Sequence, residues 1–237
     1  MRRVACLAIL TGLLSAGLIR ARPAEMAQKG AEPVARAEGD PADPLAGRLQ
    51  AKMQRLETLT GRFVQRLESR GLGRARVESG KFAIRKPASM RWEYEKPEKK
   101  LAVTDGETTW LHLPEDNEVQ VGRYPKGGGA AASSLLAGRL RLDEDFTARR
   151  LTAEEAGPQG FAGAVVLRLE PIELQEEFEA LLVAVDPTAL IVRRLTMLDS
   201  VGGRMTFEFF DIVENAPLDD ALFHFEIPQG VEVLDTR

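Results

Sequence analysis

The chain has few of the residues that most often carry chemistry. Its 237 residues include one cysteine, Cys6, and two histidines, His112 and His224. Cys6 lies close to the start, so a protein that lost its leader would hold no disulfide and no thiolate metal ligand. No HxH, HExxH or GxSxG motif is present. We therefore expect neither a metal site nor a cofactor, and we expect the protein not to be an enzyme.

Excess positive charge is also absent outside the first residues. The formal net charge is −4, and residues 1–24 contribute four arginines and no acid, so the remainder carries −8. An acidic body argues against nucleic acid as a partner and against tight adhesion to anionic lipid. The charge balance favours an aqueous compartment such as the periplasm.

The chain has no apolar run of transmembrane length at its start. Met1-Arg2-Arg3 is followed by an uncharged stretch from Val4 to Ile19, which is shorter than the roughly 20 residues of a typical span. A basic start before a short apolar run is typical of a secretory signal. We predict a signal peptide over residues 1–24, with an uncleaved anchor as the alternative, and an Ala- and Pro-rich flexible linker over residues 25–43.

A helix is predicted where the linker ends. Asp43-Pro44 supplies an N-cap and a first-turn proline. Apolar residues then recur at three- and four-residue spacing, which predicts an amphipathic helix of about five turns that breaks down near Thr60-Gly61. These residues are Leu45, Leu49, Met53, Leu56, Leu59 and Phe63.

Beyond Ser79 the hydrophobic period changes to two. Short alternating segments end at turn signals such as Asp105-Gly106, a pattern typical of an antiparallel meander. Two helical interruptions are expected, one within 124–142 and one within 215–223, before a last strand from Phe225 to Val233. The predicted strands are 80–86, 90–94, 101–103, 108–113, 119–121, 165–169, 178–185, 190–198 and 204–212.

Large apolar side chains are concentrated in the first strands. Both tryptophans, Trp92 and Trp110, and one of the two tyrosines, Tyr94, fall within two neighbouring hairpins. An ordinary hydrophobic core would explain this pattern. A cavity wall for an alkyl chain would explain it too, because Trp, Met and Phe adapt to flexible ligands. The pattern alone leaves both alternatives open.

One block of the sequence resembles a known family. The segment from Gly80 (GKFAIRKPASMRWEY) and the segment from Pro97 (PEKKLAVTDGETTW) are similar to the outer-membrane lipoprotein carrier family, LolA. Phe63-Val-Gln65, Leu135-Leu-Ala-Gly138 and the FEIPQGVEV stretch from Phe225 agree with it. The resemblance covers about residues 45–237, so we assign residues 44–237 to one carrier domain.

The resemblance implies a fold and a task. The fold would be mainly β with helices (α+β), an incomplete antiparallel β-barrel with a helical lid over an apolar cavity. The protein would be a monomer that takes triacylated lipoproteins from an inner-membrane ABC transporter to an outer-membrane acceptor lipoprotein. The expected acyl-chain cavity residues are Phe63, Phe82, Ile84, Met90, Trp92, Leu101, Val103, Trp110, Leu135 and Leu136.

One position departs from the family pattern. The resemblance assigns an arginine before the proline that follows the first barrel strand to holding the lid shut. Here that position is Lys86, with Arg85 beside it. Lysine offers a mobile ammonium where arginine offers a rigid fork of donors. Strand alternation points Arg85 to the opposite face. We expect Lys86, with Arg85 as the neighbouring candidate, to latch the lid less firmly than is usual.

Two other functions compete with the carrier. A periplasmic module that binds lipid or senses lipoproteins could use the same scaffold. A lipid hydrolase would need His112 or His224 beside a carboxylate in a cleft.

Overall fold

The structure is a computed structural model that describes residues 43–69, 73–124, 131–173, 175 and 178–237. The predicted signal peptide and all of the predicted linker except Asp43 lie outside the described residues. So does the glycine-rich stretch 125–130.

The first helix, α1, spans Pro44–Arg55. Asp43 Oδ1 accepts a hydrogen bond from the Leu45 N–H at 2.8 Å, so the predicted N-cap is confirmed. The helix stops at Leu56, whose backbone is extended. One face of α1 is buried, through Leu45, Ala46, Leu49 and Met53.

The predicted helix was too long by two turns. Leu59 and Phe63 lie in the strand β1, which spans Thr58–Glu68. A spacing of four residues places two side chains on one face of a helix, but it also places them on one face of a strand. The β-branched residues Thr58, Thr60 and Val64 favour the strand.

In the part of the chain that the structure describes, twelve strands form one open sheet, in the order β12-β6-β5-β4-β3-β2-β1-β11-β10-β9-β8-β7. Two meanders, β1 to β6 and β7 to β11, meet at the antiparallel pair β1–β11. The predicted mainly β fold with an unclosed barrel is confirmed. After β1, the strands are β2 Arg76–Arg85, β3 Ser89–Lys96, β4 Lys100–Thr104, β5 Thr108–Leu113, β6 Glu118–Arg123, β7 Phe146–Arg150, β8 Val165–Pro171, β9 Ala180–Val185, β10 Val192–Leu198, β11 Arg204–Glu214 and β12 Glu232–Asp235.

The C-terminal strand differs from its prediction. β12 begins at Glu232 and pairs with β6 in the parallel sense. The expected start at Phe225 is wrong because Pro228 has no N–H to donate and Gly230 takes a positive φ of 80°. The Asp105-Gly106 hairpin is as predicted, since Asp105 Oδ1 accepts the N–H groups of Glu107 and Thr108 at 2.8 Å.

The strand pairing defines two faces of the sheet. Phe82 lies opposite Trp92, and Trp92 lies opposite Ala102. Directly paired residues of neighbouring strands share a face. We call this the aromatic face. Its aromatic side chains are Phe63, Phe82, Trp92, Tyr94, Phe207 and Phe209.

The second helix, α2, spans Ala131–Leu136. Two short segments pack against the outer face of the sheet. The first carries the helix α3 (Ala153–Ala156) and a 3₁₀ turn, and Ala156 and Phe161 pack against Leu182 and Ala184 of β9. The second begins with the 3₁₀ helix Asp220–Phe223. In the described part of the chain, no helix is both long and apolar enough to cross a membrane.

Candidate functional site

The candidate site is the aromatic face, where rings from four strands are packed together. The Phe63 ring lies 4.9 Å from Trp92 and 5.0 Å from Tyr94, both edge-to-face. Phe82 stacks on Trp92 at 5.2 Å. Phe207 contacts Trp92 at 5.8 Å. Such pairs contribute about 0.5–1.5 kcal/mol each beyond the area they bury, so the rings stabilise one another as one packed cluster.

Five of the predicted cavity residues lie on the aromatic face, and two more lie in the helix α2. Phe63, Phe82 and Trp92 form the ring cluster. Ile84 lies opposite Met90, beside the turn that joins β2 to β3, and both residues share this face. Leu135 and Leu136 are fully buried in α2, which spans Ala131–Leu136.

Three predicted cavity residues lie on the other side of the sheet. Trp92 of β3 is opposite Ala102, so its neighbours Leu101 and Val103 point away from the aromatic face. Trp110 is paired with Val103 and shares that orientation. Phe225 of the C-terminal segment contacts the Trp110 ring at 6.3 Å. The expectation that these three share a wall with Trp92 is wrong, because successive side chains of a strand point to opposite faces of the sheet and these three point away from the face of Trp92.

The sequence interpretation missed the aliphatic half of the same face. Phe207 lies opposite Leu195, and Leu195 lies opposite Val183, so the face continues through β10 and β9. The alternation of Phe207 and Phe209 in a predicted strand was the available signal. Fully buried members of this half are Leu167, Leu169, Leu181, Val183 and Leu195.

Polar contacts attach helix α1 to the sheet near its two ends. At its start, Asp43 pairs with Arg150 of β7 at 3.1 Å. Towards its end, Lys52 donates to the Ala189 carbonyl at 2.7 Å and pairs with Glu214 of β11 at 2.5 Å. The Asp43 and Lys52 side chains are only 12% and 18% exposed in these pairs. The polar contacts therefore add to the burial of the apolar face of α1.

The carbonyl of Met53 is the point where three elements meet. The ammonium of Lys86, just after β2, donates to the Met53 oxygen. This oxygen belongs to the last turn of α1, whose carbonyls lack helical partners and attract positive charge. Gly138, just after α2, has a φ of 67°, and a Cβ there would lie 3.0 Å from the Met53 carbonyl. Only glycine fits so close to Met53 in this left-handed backbone. We call α1 and α2 the lid.

Arg85 contacts a different part of the molecule. Its guanidinium pairs with Asp220 and lies 4.6 Å from the ring centre of Phe223, in the C-terminal 3₁₀ helix. Strand alternation separates it from Lys86, as the sequence predicted. The suggestion that Arg85 shares the lid latch is therefore wrong, and of the two residues it is Lys86 that reaches α1.

The histidines lie in apolar or capping positions. The His112 ring contacts Phe225 at 5.7 Å, and His224 follows the 3₁₀ helix as its C-cap. Among the described residues, no group of three or more His, Cys, Asp or Glu side chains is placed to hold a metal ion.

Comparison with known proteins identifies the family. The model of the family described as outer membrane lipoprotein carrier protein LolA matches residues 54–226. The chain belongs to the LolA family. An outer-membrane lipoprotein carrier protein of Azotobacter vinelandii is 32% identical, with 79% of this chain and 86% of the relative aligned. One of Dechloromonas aromatica is 31% identical over 77% of this chain and 83% of the relative.

The fold of the LolA-family chain also resembles a solved structure. An uncharacterized conserved protein of Thermus thermophilus matches with a TM-score of 0.50 and 12% identity, over 81% of this chain and 99% of that one. At this identity the likeness concerns the fold alone.

Proposed function

We propose that the protein is a periplasmic carrier of lipoproteins. It would take triacylated lipoproteins from an inner-membrane ABC transporter and deliver them to an outer-membrane acceptor lipoprotein, sheltering their acyl chains against the aromatic face. The observation that carries the proposal is a continuous apolar face combined with the contact of Lys86 to the end of α1, in a member of the LolA family.

The energetics of the cargo call for such a face. Burying an acyl chain is worth about 0.8 kcal/mol per methylene, so exposing three long chains to water would cost tens of kcal/mol. Spontaneous passage through an aqueous compartment would then be negligible. A carrier must offer apolar surface of comparable extent, and the aromatic and aliphatic halves of this sheet are candidates for it.

The lid gives a route for loading. Phe63, Phe82 and Trp92 are nearly inaccessible in the closed form, so an acyl chain has to displace either the lid or the neighbouring rings. Release of the Lys86 ammonium from the Met53 carbonyl would free the end of α1. We propose this contact as the latch, and the extraction energy would come from the ATP-driven transporter.

Binding and release require no covalent chemistry. No nucleophile or general base has to act on the cargo, and we propose that the protein is not an enzyme. The aromatic face and the lid would work as a reversible binding site.

The test is to purify the protein from the periplasm of its own organism and to identify bound material by mass spectrometry. Co-purified triacylated lipoproteins are the expected result. A variant with Phe82→Glu places a charge on the aromatic face and should recover little cargo, whereas Val213→Glu, at an exposed position of β11, should recover as much as the wild type. Free lipid alone would instead favour a lipid-binding or lipoprotein-sensing module.

A further inference from the structure

A cluster of buried polar side chains ends the aromatic face on the side away from Lys86. The Lys100 ammonium donates to Glu78 Oε1 at 2.6 Å, and these side chains are only 7% and 5% exposed. The Tyr94 hydroxyl donates to Gln65 Oε1 at 2.9 Å. Lys100 also lies 4.5 Å from the centre of the Tyr94 ring. We call Gln65, Glu78, Tyr94 and Lys100 the polar cluster.

The strand pairing places the polar cluster on the aromatic face itself. Gln65 lies opposite both Glu78 and Phe207, and Tyr94 lies opposite Lys100. The Tyr94 ring touches Phe63 of the ring cluster. The cluster is therefore the next row of the same surface, directly after the aromatic rings.

An open depression of about 420 Å³ adjoins the cluster. Tyr94 and Lys100 contribute to its lining, but Arg91, Glu93 and Leu101, which also line it, lie on the outer face of the sheet. The depression therefore opens mainly onto the outer face, beside the start of β4.

Stability alone gives a weak reason for a buried ion pair at this place. Desolvating two charges costs several kcal/mol per ion, and well-packed apolar residues of similar size often stabilise a fold as well or better. Apolar residues would also have extended the binding face. An apolar chain pushed into the cluster would strip hydrogen bonds from buried charges, which is costly. The cluster therefore acts as a barrier to apolar groups.

The distance from the lid end to the cluster is comparable to the length of an acyl chain. Ile84 and Glu78 are six residues apart on β2, which is about 20 Å at the usual rise of a strand. One leaflet of a bilayer has a hydrocarbon thickness of about 15 Å. A chain that enters beside Lys86 and lies along β2 would end near the cluster.

We propose that the Glu78–Lys100 pair is the floor of the acyl-chain site and sets the longest chain that the carrier accommodates. This inference rests on the proposed carrier function and adds a specificity determinant to it. Glu78 and Lys100 would act by excluding further methylenes, with Tyr94 and Gln65 holding the pair in place.

The experiment measures the affinity of the purified protein for saturated fatty acids of increasing length, by displacement of a fluorescent apolar dye. In the wild type, affinity should rise about fourfold with each methylene and stop rising once the chain reaches the floor. In the double variant Glu78→Gln/Lys100→Met, which removes both charges at similar volume, the rise should continue to longer chains. In this variant Arg76, which donates to Glu78 in the wild type, still has Glu98 as a partner at 3.3 Å, so its charge remains paired.

A matched control uses the same residue types on the outer face of the sheet, on the neighbouring strands β2 and β3. Lys81 and Glu93 are paired at 2.9 Å and are much more exposed. In Lys81→Met/Glu93→Gln, affinity should stop rising at the same chain length as in the wild type; we call this point the break. An unchanged break in the Glu78→Gln/Lys100→Met variant would overturn the inference. A wild type without any break would overturn it as well, even if the double variant did not fold. A wild type that bound no chain of any length would instead count against the proposed function.

Discussion

The two ends of β2 carry the same chemistry in opposite settings. At one end the Lys86 ammonium reaches across to the Met53 carbonyl of α1 and remains partly exposed. At the other end the Lys100 ammonium is almost fully buried against Glu78. The first cation contacts the helix that we propose moves as part of the lid, and the second contacts a carboxylate of another strand in the same sheet.

The difference shows how burial decides what a charged contact does. A partly exposed lysine can exchange its carbonyl partner for water at small cost, so the contact can open and close. A buried lysine has no water to turn to, and losing its carboxylate leaves an uncompensated charge. We therefore expect the Lys86 end of the aromatic face to open and the Glu78 end to stay shut.

The largest expected effect comes from breaking the buried pair. Glu78→Ala leaves the Lys100 ammonium buried without its carboxylate, so the free energy of unfolding should fall by about 3–5 kcal/mol. Urea unfolding followed by tryptophan fluorescence measures this change. Glu95→Ala, which breaks the exposed pair with Arg62, should cost less than about 1 kcal/mol. Equal losses in the two variants would remove the contrast between buried and exposed charges.

A smaller effect is expected at the other end of β2. Lys86→Leu removes a charged hydrogen bond worth about 1.5–3 kcal/mol at most, so the lid should open more often and dye uptake should become roughly tenfold faster. Stopped-flow uptake and hydrogen exchange of the α1 amides would report it. Lys86→Arg should take up the dye at the wild-type rate or more slowly, because arginine keeps the charge and adds donors. If uptake and release of lipoprotein were unchanged in Lys86→Leu, Lys86 would not be the latch.

The pH dependence of uptake tests the same residue. Desolvation lowers the pKa of Lys86 below its usual value of 10.5. The closed form then binds this proton less tightly than the open form does, so closure is stabilised as pH rises from the lowered pKa towards 10.5. Uptake by the wild type should slow across this window, whereas Lys86→Arg should show no such step because arginine stays protonated. A faster wild-type rate at higher pH would contradict the sign.

The smallest effect is expected for the neighbour of Lys86. Arg85→Leu breaks a pair with the highly exposed Asp220, and the free energy of unfolding should change by about 1 kcal/mol or less. Uptake should match the wild type, because Arg85 contacts the C-terminal 3₁₀ helix and not α1. A change in uptake as large as that of Lys86→Leu would show that the two faces of β2 are coupled.

Local patterns predicted much of the fold. The Asp43 cap, the Asp105-Gly106 hairpin and the alternation that separates Arg85 from Lys86 all depend on residues close together in the chain. Leu59 and Phe63 were misassigned because a four-residue spacing fits both a helix and a strand. Leu101, Val103 and Trp110 were placed on the wrong face, since alternation within one strand does not say which face it shares with the next.

The composition and pattern of the sequence determined the β-rich class and the resemblance to a lipoprotein carrier, because both depend on residues in local order. The export signal stays a prediction from the same kind of pattern. Only the tertiary structure decided the rest. The pairing register joined Phe207 and Phe209 to Phe63 and Trp92, brought Lys86 to the end of α1, and buried Glu78 against Lys100. These contacts link distant segments, and their partners depend on how the strands pair, which no local pattern specifies.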